Sequence, residues 1–341
     1  MNLAPLADQT RCAIILAGAG THGSFEAGAL DVLLNAGHRF GTVVGASSGA
    51  LNGALLAAAI RTGNELKLAT SLPDTWTNHT GLLDIFSPSL EGIFGRRGIS
   101  GEGKLLSLLE EVSAGWFPGT IAPVRLVLVV AALEGRMTEV GGRPATTYEY
   151  PITFANADFD TKESREPVYR AATASGAIPI VFVPVDLPGV GPCADGGLVN
   201  NTPLKHALAD PDVTRVFVIV PYPSPVEPPP PRRGLDYVAH VFDIFIQERL
   251  LRDLRDAVEV NRHLAVLDAL SGELAPERVQ TLRTALGLAR KRTVELVLVR
   301  PPQALQGNEL SGFGNAELRQ KQIEAGREAA RSALAQSPMT S

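Results

Sequence analysis

Three short stretches of the sequence carry residues that can do chemistry. Gly45-Ala46-Ser47-Ser48-Gly49 has G-x-S-x-G spacing and follows an apolar strand, Thr42 to Val44. A small-residue helix is expected from Ser48 to about Ile60. Strand, sharp turn and helix in that order form a nucleophile elbow, which lifts a serine hydroxyl clear of a sheet. Gly45 and Gly49 carry no Cβ and leave room for the turn. The helix behind Ser47 aims its free N–H groups and positive dipole end at the hydroxyl. The same residues also fit a plain glycine-rich loop that packs a helix closely on a sheet.

Gly18-Ala19-Gly20-Thr21-His22-Gly23 matches G-x-G-x-x-G after the apolar run Cys12 to Ala17. A dinucleotide site would need a carboxylate at the end of the next strand, about 20 residues on. That strand ends Val43-Val44-Gly45-Ala46, with no acid. A phosphate loop would need Gly-Lys-Ser/Thr, which is also missing. Two interpretations remain: a tight strand-to-helix turn, or backbone N–H donors for an oxyanion. Adjacent parallel strands would bring this loop beside Ser47 at one sheet edge. The third stretch, Asp195-Gly196-Gly197, is a tight turn that presents a carboxylate with space around it.

These residues need a sheet to position them. Cys12–Ala17, Val124–Ala132 and Arg215–Val220 read as strands buried on both faces. Helices are expected over 24–35, 101–112, 168–177, 235–270, 276–289 and 317–335, and further strands over 148–159, 180–186 and 295–299. Strand and helix alternating at this spacing predict a parallel α/β sheet covered on both faces. Thr202 is expected as an N-cap with Pro203 at the first helical position. Pro221 to Pro231 forms a stiff proline-rich connection, and the late strand 295–299 suggests that the C-terminal part 235–341 completes the same sheet. A single domain spanning 1–341 is therefore expected.

Composition narrows the function. The 341 residues are 45% hydrophobic and 20% charged, ordinary for a globular chain. A formal net charge of −5 argues against a nucleic-acid partner. Cys12 and Cys193 lack C-x-x-C spacing and read as core residues rather than a disulfide or zinc site. Met1 to Arg11 lacks a basic, apolar leader, and residues 12–20 are too short to span a membrane. A cytoplasmic protein is the default expectation, with export lacking a cleaved signal as the other route.

The glycine loop, the elbow and the Asp-Gly-Gly turn, in this order, resemble the patatin-like phospholipases. Ala171–Pro179 and Asn200-Asn201-Thr202-Pro203 also look like that family's pattern, and the similarity covers roughly residues 12–220. The resemblance implies a three-layer α/β/α fold with a mostly parallel central sheet. It also implies a Ser–Asp dyad that hydrolyses lipid acyl esters, of the phospholipase A or lysophospholipase kind. By that match Ser47 is the nucleophile and Asp195 takes its proton. Gly18, Ala19, Gly20 and Gly23 frame the oxyanion hole, with N–H groups near Ala19 and Gly20 as donors. No metal or organic cofactor is implied, and the partner is a lipid or phospholipid, met at a membrane or micelle surface. Ala19 replaces a usual glycine, and His22 stands where arginine or lysine is frequent.

Other readings compete. In a Ser–His–Asp esterase the histidine follows the acid in sequence, and His206, His240 and His263 all follow Asp195. Each of them sits in an expected helix rather than in a loop after a strand. A silent lipid-binding scaffold is the non-enzymatic alternative, against which intact Ser47 and Asp195 weigh. Residues 64–100 show weak periodicity, with Trp76, Phe86, Ile93 and Phe94 scattered among Gly and Pro. Residues 71–98 are therefore expected to be an irregular, mobile cover over the site, with Arg96-Arg97 available to anionic head groups.

Overall fold

A computed structural model of the chain describes residues 11–86, 100–101, 103–116, 122–179, 181–223, 235–307 and 310–336. The first strand, β1 (Cys12–Leu16), is buried along its whole length. Its side chains alternate between two cores: Ile14 and Leu16 join Phe25, Leu30 and Leu56 on one face. Ala13 and Ile15 join Val44, Val216 and Leu296 on the other. An uninterrupted apolar run is what such a doubly covered strand requires.

The elements that follow are, in chain order, α1 (Gly23–Asn35), β2 (Thr42–Ala46), α2 (Ser48–Thr62), α3 (Glu65–Asn78), α4 (Leu82–Ile85), α5 (Gly103–Val112), β3 (Arg125–Val140), β4 (Arg143–Ala155) and α6 (Lys162–Ser175). Then come β5 (Val185–Leu187), β6 (Gly191–Ala194), α7 (Gly197–Asn200), α8 (Leu204–Leu208), β7 (Arg215–Ile219), α9 (Leu235–Leu270), α10 (Pro276–Ala285), β8 (Glu295–Val299) and α11 (Ala316–Ala335). The sheet order is β5-β6-β3-β2-β1-β7-β8, with β4 on the far side of β3. The run β3-β2-β1-β7-β8 is parallel throughout. This is the expected α/β sheet, mostly parallel and covered on both faces. The late strand β8 pairs with β7 in that same sheet.

Strand β3 outruns its neighbour, and this positions the site. Strand β4 lines one side of it, from Arg125↔Ala155 to Ala131↔Glu149. On the other side β2 runs parallel and stops at Ala46, opposite Val129. Strand β6 comes from the opposite direction along that side and stops at Ala194, opposite Ala131. The next residue of each strand, Ser47 and Asp195, must therefore meet.

Several expectations are corrected. Residues 65–78 are helical, so the first part of the expected irregular cover is helix α3 instead. Its buried residues Glu65, Leu68, Ala69, Leu72 and Trp76 recur at helical spacing, and their packing tolerates Pro73 within the helix. Residues 87–99, including Arg96 and Arg97, lie outside the described residues, as does most of the proline-rich connection. The sequence does not announce β6, whose Gly-Pro content masks it. The strand expected at 180–186 contracts to Val185–Leu187, with one bridge between Ser100 and Phe182. Pro203, not Thr202, takes the cap position of α8. Cys12 and Cys193 are buried free thiols.

Helix α11 lies against α1 at backbone distance. A Cβ at Gly326 would sit 2.0 Å from the Phe25 carbonyl oxygen, and one at Gly28 2.0 Å from that of Ile323. Backbone atoms cannot rotate away, so added volume must push the helices apart. Gly326→Ala is expected to cost about 1–3 kcal/mol, the range for an overfilled core. Urea unfolding would show it as a lower midpoint, and an unchanged midpoint would mean that the two helices are not locked at this crossing.

Candidate active site

Ser47 stands between β2 and α2 with φ 53° and ψ −129°. Among the described residues, only Asn156 is another non-glycine at positive φ. Such a backbone costs about 1–3 kcal/mol and persists only where its surroundings hold it. The hold here is specific: the Ser47 N–H donates to Ser175 Oγ at 2.9 Å. The Ser175 hydroxyl in turn donates to the Val129 carbonyl oxygen at 2.6 Å. Close approach does the rest. A Cβ at Gly18 would lie 2.2 Å from Ser47 Cβ, and one at Gly49 would lie 2.1 Å from the Leu16 carbonyl oxygen. Gly45 is packed equally tightly against the backbone of Gly49.

The Ser47 hydroxyl donates to Asp195 Oδ2 at 2.6 Å. The other carboxylate oxygen, Oδ1, accepts the Gly197 N–H at 2.7 Å. Asp195 is anchored from below, its N–H donating to the Ala177 carbonyl oxygen and that of Gly196 to the carbonyl oxygen of Ser175. The Asp-Gly-Gly turn thus leads directly into the one-turn helix α7. Burial raises the Asp195 carboxyl from its ordinary 3.8 to about 6, against the lowering effect of the bonds from Ser47 and Gly197.

The glycine loop lies beside Ser47, tied down by Asn201, whose Nδ2 donates to the Gly18 carbonyl oxygen at 2.6 Å. Its expected donors are not equivalent. The Ala19 N–H is bonded to Ser48 Oγ at 3.1 Å. The Gly23 N–H folds back onto the carbonyl oxygens of Gly20 and Thr21. Gly20 has φ 54°, lines the same cleft as Ser47, and its N–H has no partner among the described residues. His22 is buried, and burial lowers its imidazole to about 4. The position that often carries a cation in the family is therefore neutral at pH 7.

Of the histidines expected as alternatives, the two whose side chains are described, His206 and His263, make no bond to Ser47. His206 Nε2 lies 2.9 Å from Glu149 Oε1. Glu149 also accepts from Asn200 Nδ2 and Lys205 Nζ. Burial pushes its carboxyl up, but the bonds from His206, Lys205 and Asn200 outweigh that and leave it at about 2. His263 is exposed on α9, and the side chain of His240 lies outside the described residues.

A cleft open to solvent runs from Ser47 between α2, α3 and α5. Leu51, Leu55, Leu72, Leu105 and Leu109 give it apolar walls. Sequence reasoning missed the polar network behind one wall. Asn52 Nδ2 donates to Glu26 Oε2 at 2.8 Å and to the Gly23 carbonyl oxygen at 3.0 Å. The Trp76 Nε1–H donates to Asn52 Oδ1 at 2.8 Å. Burial holds the Glu26 carboxyl well above the usual carboxylate range.

Comparison with known proteins identifies the class. The profile of the patatin-like phospholipase family matches residues 14–208, more than half of the chain, and the chain belongs to that family. No curated protein sequence matched it. Among solved structures it is similar to VipD from Legionella pneumophila, with 14% identity and a TM-score of 0.42, over 98% of this chain and 67% of that one. It is also similar to the type III effector protein ExoU, with 13% identity and a TM-score of 0.31, over 95% of this chain and 53% of that one. The chain thus spans about half the length of ExoU. Members of the family are lipid acyl hydrolases. No helix among the described residues is long and apolar enough to cross a membrane.

The buried carboxylate has a thermodynamic consequence. Unfolded, Asp195 titrates near 3.8, and folded near 6. Between these values the folded state binds more protons, so stability falls as pH rises through this window. Above pH 6 the full cost stands, about 3 kcal/mol for a shift of about two units. Asp195→Asn removes the charge and is expected to be the more stable protein at pH 7.5 by about 1–3 kcal/mol. The gain should shrink toward pH 4. Urea titrations at both pH values test this, and a variant less stable than wild type at pH 7.5 would contradict it.

Proposed function

We propose that the chain is a serine acyl-ester hydrolase acting on lipids, with Ser47 as nucleophile and Asp195 as its proton acceptor. The observation that carries this is the 2.6 Å bond from Ser47 Oγ to a buried carboxylate, with no histidine between them. As Ser47 Oγ attacks the ester carbonyl carbon, its proton passes to Asp195 Oδ2. Negative charge develops on the carbonyl oxygen, where the Gly20 N–H, without a partner among the described residues, and the N-terminus of α2 can receive it. Collapse expels the alcohol, which takes the proton from Asp195, and leaves an acyl group on Ser47 Oγ. Water then repeats the sequence and releases the fatty acid.

The acceptor need not be a strong base in the resting state. A carboxylate already in hydrogen-bond contact accepts the proton as attack proceeds, and burial makes it more basic than a free aspartate. The apolar lining of the cleft beside Ser47 suits an acyl chain, and substrate would be met at the surface of a membrane or micelle. We read the whole chain as one hydrolase unit, because β8 lies in the same sheet as the elbow. A Ser–His–Asp esterase fits less well, since His206 is held by Glu149 and His263 faces solvent.

A fluorophosphonate probe is expected to label Ser47 and to leave Ser47→Ala unlabelled. Asp195→Asn should fold yet lose at least about 10²-fold in turnover of a simple ester, the scale of a lost general base. Labelling that maps to Ser48, or near-normal turnover by Asp195→Asn, would overturn the assignment.

A further inference from the structure

Among the described residues, one wall of the cleft beside Ser47 comes from outside the family-matched part of the chain. That wall is Phe313, in a short 3-10 turn (Ser311–Gly314) after β8, far beyond residue 208. Phe313 is 8% exposed. Its ring meets that of Phe86 edge-on, with centroids 5.8 Å apart and an interplanar angle of 85°. Phe86 stacks on Phe182 at 5.4 Å and 20°. Three rings from distant parts of the sequence therefore form one aromatic cluster, and two of them, Phe182 and Phe313, line the cleft.

The turn that carries Phe313 is tied on two sides. The buried guanidinium of Arg319 donates to the carbonyl oxygens of Trp76 and Thr77, each at 2.6 Å, and to that of Gly312. It thereby ties the end of α3 to the turn that carries Phe313. On its other side the turn abuts the glycine loop, where a Cβ at Gly312 would lie 2.5 Å from Thr21 Oγ1. A ring fixed between these two supports cannot swing aside at low cost, because its neighbours are close-packed. Removing one aromatic wall from an apolar slot changes which hydrocarbon groups fit it.

We propose that Phe313 is a specificity-determining residue, a fixed wall supplied by the C-terminal segment that limits the size of the acyl group bound beside Ser47. This rests on the acyl-ester hydrolase reading above. Arg319 acts only as a positioning residue, through the turn.

The test uses the full chain with p-nitrophenyl butyrate and palmitate in fixed detergent micelles. Phe313→Leu and Phe313→Ala should raise the palmitate-to-butyrate ratio of kcat/KM by about tenfold or more. Phe313→Trp should move it the other way. Thermal melts identify any variant that has simply lost its fold, and Phe313→Leu keeps enough apolar volume to serve if Phe313→Ala fails. A ratio unchanged in folded Leu and Trp variants, or both esters falling together, would overturn the inference. Hydrolysis that persists in Ser47→Ala would instead overturn the underlying reading, so the two failures are distinguishable.

Discussion

The site depends on the length of β3. Because it continues past the end of β2, a gap opens along its side, and β6 fills that gap from the opposite direction. Two strands end nose to nose, and the residues that follow them are a serine and an aspartate. Their contact is set by sheet register rather than by the conformation of a long loop. A one-residue slip of β6 would turn its side chains to the other face and separate the pair.

Several costs are concentrated around that contact. Ser47 occupies a left-handed backbone region, Asp195 keeps a carboxylate away from water, and Glu26 is buried close by. Each would favour a different structure if left alone. They are offset by directed bonds: Ser175 on the Ser47 N–H, Gly197 on Asp195, Asn52 on Glu26, and Asn201 on the glycine loop. Glu149 supports the last of these indirectly, by fixing Asn200 next to Asn201. The two sheet faces divide the labour. One face carries the cleft, while the other is packed beneath α8 and α9 by Val44, Val216 and Leu296.

What the sequence made legible follows from local physics. Strands buried on both faces are continuous apolar runs, so β1, β2, β7 and β8 stand out within two residues of their bounds. The elbow and the Asp-Gly-Gly turn are equally local. Helix α3 is obscured by Pro73 and its polar neighbours, although Leu68, Leu72 and Trp76 keep helical spacing. Strand β6 is short, glycine- and proline-rich, and defined by its partner β3 rather than by its own pattern. Long-range pairings had no local signature at all. Nothing in the glycine loop shows that Ser48 occupies the Ala19 N–H and leaves that of Gly20 without a partner among the described residues. Nor could Phe313 be placed against Phe86 without the path of the chain after β8.

The central claim is that a buried aspartate, and no histidine, takes the proton from Ser47. The most direct measurement is the pH dependence of kcat/KM for a soluble ester, in wild type and in His206→Asn. The account predicts one acidic limb centred near the folded value of Asp195, about 6, with activity falling below it as the carboxylate is protonated. The limb should keep its position in His206→Asn. A limb that disappears or moves with that substitution, in protein that remains folded, would contradict the account.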